Sequence, residues 1–574
     1  MQIEADEFRK VIESEDHSYR AKGGTISITV PEGYCGEYSE EALKDQQDLE
    51  LSYIRGRGNS TWEYQKKPFR FKLKESADLL GMGADKHWVL LANILDGSML
   101  KNRLTSYLGR ELGLRFTPLY VPVDLVINGE YMGSYVLGQQ IRIGKSRVDI
   151  APLDPEDLED PEITGGYLLR MGPKDKVPEG TIITTDKGVR FQAYDPEFAA
   201  SDPQDSLGAP EQKAYLTDYL QNLEDAIYAE DFQDQNGVSY TEYMDISSAA
   251  RYWLIQEFVM NGDAFWTDST YLYKDRGGKL CWGPLWDFDL AYPDHDPVYD
   301  VGGTEGFSTT DMPWLDHLRD KEPVYQEELK KAWQQLDPVI TAITQKGGVL
   351  DRYAAELEGS WESNLELMKA KGWLPEDEYP ESLDKEVEKL KTFLTERQKW
   401  FHDHIDSELS KVFCKITFAA DGKVIDEAQI RYQMDLYDIE IPDLAAVRKE
   451  GFVAAAWIGP DGKALDPGEK VFEDMSFTAK LIPEEDAVFA DGLYLESDEI
   501  WFDPDTQGPN YRIPYTTTPE NANVNYVRWT SSDPDIAEVK TDGMVILGDI
   551  GDVEITGELP SGAKASFVMH IMGE

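Results

Sequence analysis

Residue patterning changes character near Val412, and that break constrains the fold more than any single motif does. Before it, helical and strand-like periodicities intermix. After it come short strands, turn dipeptides (Asp421-Gly422, Asp461-Gly462, Asp542-Gly543) and little helix, the pattern of small all-β modules. Length points the same way, because 574 residues exceed one core and single cores stop growing near roughly 250–300 residues. We therefore expect a large α+β domain over residues 1–410 and two small all-β domains, 411–483 and 484–574, divided at Pro483-Glu-Glu-Asp-Ala487.

Within the large domain, Phe69-Arg70-Phe71-Lys72-Leu73-Lys74 alternates apolar and basic residues, the period of a half-buried strand. Ser98 to Leu112 reads as a helix with Leu100, Leu104, Tyr107 and Leu108 on one face and Gly113 as its C-terminal stop. Val121–Ile127, Asn128-Gly129 and Tyr131–Leu137 read as a hairpin, since Asn-Gly fits a two-residue turn. Ser247–Met260 predicts a helix. A strand at Thr270–Tyr273, a turn at Gly277-Gly278 and a second strand running into Trp286-Asp287-Phe288-Asp289 follow it. Residues 313–410 read as mostly helical.

Charge excludes one class of function. With 109 acidic and 56 basic residues and a formal net charge of -53, a nucleic-acid binder is not expected, because phosphate backbones would be repelled. Cys35, Cys281 and Cys414 are too far apart for a zinc motif or a disulfide framework. No signal-peptide pattern opens the sequence, and no apolar run is long enough to predict a membrane span.

Against this acidity, Leu51–Lys74 is a positive island holding seven Lys or Arg and one Glu. Its core, Arg55-Gly-Arg-Gly-Asn59-Ser-Thr-Trp62, combines glycines that admit close backbone approach with cations that complement phosphate oxygens. The bland alternative is a strand with a basic outer face. A second constellation comprises Asn261-Gly-Asp263 at a helix end, Asp268, and Asp287-Phe-Asp289 after a hairpin, within a stretch of eight aspartates between Asn261 and Asp300. Hard oxygen donors of this kind suit Mg²⁺ or Mn²⁺, and a structural calcium site is the alternative. The order of helix, loop with Asp, hairpin and Asp-Phe-Asp is that of a protein kinase. On a regular strand Asp287 and Asp289 would point to one side, with Trp286 and Phe288 turned into the core.

The ordered set of motifs resembles the CotH (spore coat protein H) kinase family over roughly residues 25–408. It comprises Arg55–Trp62 with Lys66-Lys-Pro-Phe-Arg-Phe-Lys72, Asp96-Gly-Ser-Met-Leu-Lys-Asn-Arg103, Asn128-Gly-Glu-Tyr-Met-Gly-Ser-Tyr-Val-Leu137, Gly283-Pro-Leu-Trp-Asp-Phe-Asp289 and Trp314-Leu-Asp-His-Leu318. The resemblance implies an atypical, two-lobed kinase-like domain with a helical C-terminal part, using ATP and Mg²⁺ or Mn²⁺ to phosphorylate a secreted or surface protein. Carried over by position, Asp287 and Asp289 match the metal-binding acids, either being the principal ligand, and Asp263 matches the catalytic-loop acid. Lys72 is the first choice for the phosphate-binding lysine and Lys67 the second. Arg55, Arg57 and Asn59 join them on the phosphates, and Tyr135–Ile141, with Gln139 and Gln140, forms the strand and hinge beside adenine. The chain departs from the pattern at Gln139-Gln140, where many relatives have Glu, and at Asp268-Ser269, where a kinase has Asn as second metal ligand.

Residues 412–482 resemble an internalin B-repeat-type β-grasp module and residues 486–574 a bacterial Ig-like domain. These likenesses imply a secreted or cell-surface bacterial protein with partners among surface, spore or cell-envelope components. Two further readings stay open: an inactive kinase-like surface-binding protein, and another ATP-dependent transfer, nucleotidylation or glutamylation, from the same site.

Overall fold

A computed structural model describes residues 1–32, 34, 43–58, 60–172, 180–198, 207–229, 231–262, 269–292, 295–296, 301–307, 312–376, 378–409, 413–431, 436, 439–468, 471, 474–502, 510–540 and 543–572. The chain divides into two compact units, Met1–Leu409 and Ser410–Glu574.

The first unit begins with a seven-stranded antiparallel sheet. Its strands lie in the order Ala21–Lys22, Gln46–Gly56, Phe69–Asp78, Ala84–Leu91, Glu130–Gln139, Tyr120–Ile127, with Thr25–Ile28 also paired to Gln46–Gly56. Alternation along Phe69–Asp78 is as the sequence predicts: Phe69, Phe71 and Leu73 are buried, while Arg70 and Lys72 face the other side. The Asn128-Gly129 turn adopts positive φ at both residues (53° and 85°), the conformation a tight hairpin with right-handed strand twist requires. The helix Lys101–Glu111 lies between the strand Ala84–Leu91 and the sheet's final hairpin in sequence. It buries Leu100, Leu104 and Leu108 completely, a gain of about 1.5–3 kcal/mol per side chain.

A second antiparallel sheet follows, ordered Leu280–Trp282, Thr270–Lys274, Tyr167–Met171, Arg190–Asp195, Ile182–Thr184. Around it pack the helices Pro210–Tyr228, Ile246–Phe258, Pro313–Lys321, Pro323–Thr344, Val349–Lys371 and Leu383–Glu408. The expected strand into Asp289 stops at Trp282. Pro284 has no N–H to donate to a ladder, so residues 283–289 run as irregular chain.

The helix Val349–Lys371 fastens the two parts of this unit together. Asn364 Oδ1 accepts from the Lys66 ammonium at 2.8 Å and from Ser134 N–H at 3.0 Å. Ser360 Oγ donates to Asp124 at 2.6 Å, Trp361 Nε1 donates to the Gly97 carbonyl at 2.8 Å, and Glu356 pairs with buried Arg103 at 2.7 Å. Gly133 leaves the room: a Cβ there would stand 2.6 Å from Asn364 Oδ1.

In the second unit, a four-stranded sheet (Lys423–Arg431, Phe413–Ala420, Met475–Pro483, Phe452–Ile458) encloses one core around Ile416, Phe418 and Phe477. Strands between Gly492 and Ile571 enclose another around Trp529, Val553 and Phe567. Among the described residues no helix of either unit is long and apolar enough to cross a membrane.

Candidate functional site

Between the two sheets of the first unit lies a cavity of about 280 Å³. Arg55, Arg57 and Gly58 reach it from the end of Gln46–Gly56 and the turn beyond, and Arg70 from the neighbouring strand. Gln140 and Ile141 line it just past Glu130–Gln139, and Arg170, Tyr194 and Tyr271 line it from the second sheet. Asp287 and Asp289 complete the wall. Four arginines thus share one space with two aspartates.

The loop bearing those aspartates is held through its backbone. Asn261 Nδ2 donates to the Asp287 carbonyl (3.1 Å), Asn102 Oδ1 accepts from Phe288 N–H (2.9 Å), and Lys101 Nζ donates to the Asp289 carbonyl (3.1 Å). Asp287 itself has φ of 70°, an uncommon conformation for a residue with a side chain, and its carboxylate accepts from Ser269 Oγ at 2.9 Å. Lys101 and Asn102 are in turn placed by Asp96, whose carboxylate accepts from Ser98 N–H, Ser98 Oγ and Lys101 N–H at 2.9, 2.6 and 2.9 Å. The motif Asp96–Arg103 therefore acts as a bracket. One end organises the helix start, and successive side chains grip Asp289, Phe288 and Glu356.

Both carboxylates reach the cavity, though not by the strand alternation expected of them. Phe288 is buried in the core as expected. Trp286 is likewise buried, in a cluster with Tyr120 and Tyr271, but it also borders the cavity, with the Arg57 guanidinium 5.3 Å from its ring centroid. On the opposite wall, burial first and then the charge of Arg70 pull Arg55 down to about 10. His17, beside them, is lowered by burial and then by Arg55.

The remaining sequence candidates fall in different places. Lys72 is on the same strand face as Arg70 but is not among the cavity's lining residues, and its strand partner is His87. The Lys67 ammonium donates to the Trp62 carbonyl and packs over that ring at 4.9 Å. Gln139 is tied up structurally: its amide accepts from Leu119 N–H (2.8 Å) and donates to the Met82 and Ser146 carbonyls (2.5 and 3.0 Å). Gln140 lines the cavity, and its Oε1 is buried with no partner among the described residues. Asn59, Asp263 and Asp268 lie outside the described residues. Arg70 and Arg170 are the cavity residues that sequence reasoning passed over. Arg170 is the lone cation of the strand Tyr167–Met171, a signal that could have marked it, whereas Arg70 shares its strand face with Lys72 and Lys74 and composition does not single it out.

Among the described residues no three His, Cys, Asp or Glu side chains converge as a closed metal centre. Asp287 and Asp289 form an open donor set instead. Such a set fits a hard divalent cation that takes its other ligands from phosphate oxygens and water, and the arginines opposite fit the phosphates themselves.

Comparison with known proteins places the chain in a family. The sequence model described as CotH kinase protein matches residues 54–401, which contain every cavity residue named above except His17. No curated protein matches the chain. Solved structures similar to parts of it include surface layer protein SbsC, domains 4–9, with 13% identity over 27% of this chain and 27% of that one and a TM-score of 0.13. SbsC domains 4 and 5 alone match with 15% identity over 26% and 86%, at a TM-score of 0.13. Extracellular cadherin domains 1–4 of protocadherin gamma B7 match with 10% identity over 28% and 51%, at a TM-score of 0.12. The chain spans about a quarter of the two longer SbsC fragments, 27% and 25%. At such TM-scores these likenesses carry no argument.

Proposed function

Because the chain belongs to the CotH kinase family, we propose that it transfers the γ-phosphoryl group of ATP to a hydroxyl group of a protein substrate. The observation that carries this reading is the division of one cavity into a wall of arginines and a facing pair of aspartates held by their backbone. The polyphosphate lies along Arg55, Arg57 and Arg70, and adenine lies toward Gln140 and Ile141. A divalent cation held by Asp287 and Asp289 would supply further charge neutralisation at the transferring phosphoryl group. Asp263, which follows the helix Ile246–Phe258 in sequence, takes the acceptor's proton. The acceptor oxygen bonds to the γ-phosphorus, the bond from that phosphorus to the β–γ bridging oxygen breaks, and ADP leaves with the electron pair. Positioning and fixed charge account for the rate, as in other phosphoryl transfers. The small all-β modules of the second unit support a search for the substrate among secreted or cell-surface proteins.

The test is incubation with γ-labelled and, separately, α-labelled ATP in the presence of Mn²⁺. Label should enter protein from the γ position only. Asp287→Asn and Asp289→Asn should each lower incorporation by at least a hundredfold, on the order of 3 kcal/mol of lost transition-state stabilisation, with little change in melting temperature. Label entering from the α position would replace phosphorylation by nucleotidylation. Full incorporation in both variants would move the site elsewhere.

A further inference from the structure

Arg55 and Arg70 are direct cross-strand partners in the first sheet, and both line the cavity. Like charges directly opposite one another on neighbouring strands destabilise a sheet. Here the cost is not offset locally. The Nε atoms of both arginines are buried without a hydrogen-bond partner, and neither guanidinium is in an ion pair with a carboxylate among the described residues. Asp287 and Asp289 are the acids of the lining, and their loop is gripped through its backbone by Asn261, Asn102 and Lys101. Arg57 lies over Trp286 and Arg170 donates to Gln192 at 2.9 Å, so these two have neighbours that partly satisfy them. The Arg55–Arg70 pair is the uncompensated element, in a chain where acids outnumber bases 109 to 56 and a carboxylate partner would have been easy to supply. Locally unfavourable arrangements of this kind persist at functional sites, where a ligand supplies what the protein leaves out.

We infer that Arg55 and Arg70 form a clasp for a di- or triphosphate chain that closes on its anion without a divalent cation. The inference rests on the nucleotide reading only for the identity of the molecule that carries the phosphates. Two guanidinium forks from adjacent strands offer planar, paired N–H donors to successive phosphoryl groups, which a lysine's point charge does not. Arg70 thereby takes the part a kinase gives to a strand lysine. Lys72, one step further along the same face, remains outside the cavity. The aspartates come into play when a cation joins the bound polyphosphate, so anion binding and metal binding are separable steps.

Thermal melting with sodium tripolyphosphate in excess EDTA tests the clasp. At a hundredfold excess over Kd the first unit's transition should rise by about 3–6 °C, and ATP in EDTA should act alike. Arg70→Gln and Arg55→Gln should each lose the rise, while their melting temperatures without ligand equal or exceed that of the parent because the repulsion is gone. Lys72→Gln should keep the rise. Should one arginine variant fail to fold, the other and Arg70→Lys, which keeps the charge but loses the fork and should bind at least tenfold more weakly, still decide the matter. A parent that responds to tripolyphosphate only when Mg²⁺ is present, or an Arg70→Gln variant that keeps the full rise, would overturn the clasp. A metal-free rise that depends on both arginines, in a protein that transfers no label from ATP, would support the clasp and remove the kinase reading instead.

Discussion

Lys66 is 1% exposed, with its ammonium donating to the Ser134 carbonyl and Asn364 Oδ1 at 2.5 and 2.8 Å and lying 4.9 Å from the Tyr135 ring centroid. Burial pulls its pKa from 10.5 down to about 7, opposed by the charge of Asp124. Since the folded-state pKa lies below the unfolded one, the unfolded chain binds more protons between those two values. Stability therefore rises with pH from about 7 toward 10.5. Below about 7 both states are protonated and the cost of burying the charge is carried in full. The slope inside the window is at most about 1.4 kcal/mol per pH unit. Melting curves of the parent and of Lys66→Met between pH 6.5 and pH 9 should show the parent gaining on the variant by roughly 2–3 kcal/mol as pH rises. Parallel curves would mean that the ammonium does not titrate in this range.

At the scale of elements, the helix Val349–Lys371 is the fastening whose loss is most readily measured. Asn364→Ala removes the acceptor shared by Lys66 and the Ser134 N–H, both buried, so it should destabilise the first unit by about 2–4 kcal/mol. Glu356→Gln, which retains a hydrogen-bond acceptor for Arg103, should cost less, and chemical denaturation of the two variants ranks them. None of these contacts could be read from the sequence, because each joins residues more than two hundred positions apart. What was legible was local. The Asn128-Gly129 hairpin follows from turn chemistry, the helix Lys101–Glu111 from the apolar face of Leu104 and Leu108, and the buried face of Phe69–Asp78 from alternation. The site was legible in its composition but not in its register. Alternation puts Arg70 and Lys72 on one face, yet only the position of the second sheet along that strand decides that Arg70 meets the cavity. Likewise Asp287 and Asp289 were found by residue type. Their shared direction comes from an irregular loop and a left-handed Asp287 that no period announces.

For the molecule as a whole, the two units Met1–Leu409 and Ser410–Glu574 each contain their own cores. Lys411 offers trypsin a site at the boundary. Brief digestion should release a fragment of close to 409 residues before either unit is cut, and mass spectrometry would read the ends. First cuts within 51–286 would show instead that the first unit opens more readily than the junction. The fastening helix also orders events in time. Lys66 and Asn364 are separated by 298 positions, and Arg103 and Glu356 by 253. At ribosomal speeds of about 5–20 residues per second, roughly 15–60 s pass between the emergence of Lys66 and that of Asn364, the second of its two acceptors. Throughout that interval the nascent sheet can offer the ammonium the Ser134 carbonyl alone, and has no helix to cover the hairpin. The sheet that carries the arginine-bearing wall of the cavity is thus made long before the helix that covers its last hairpin.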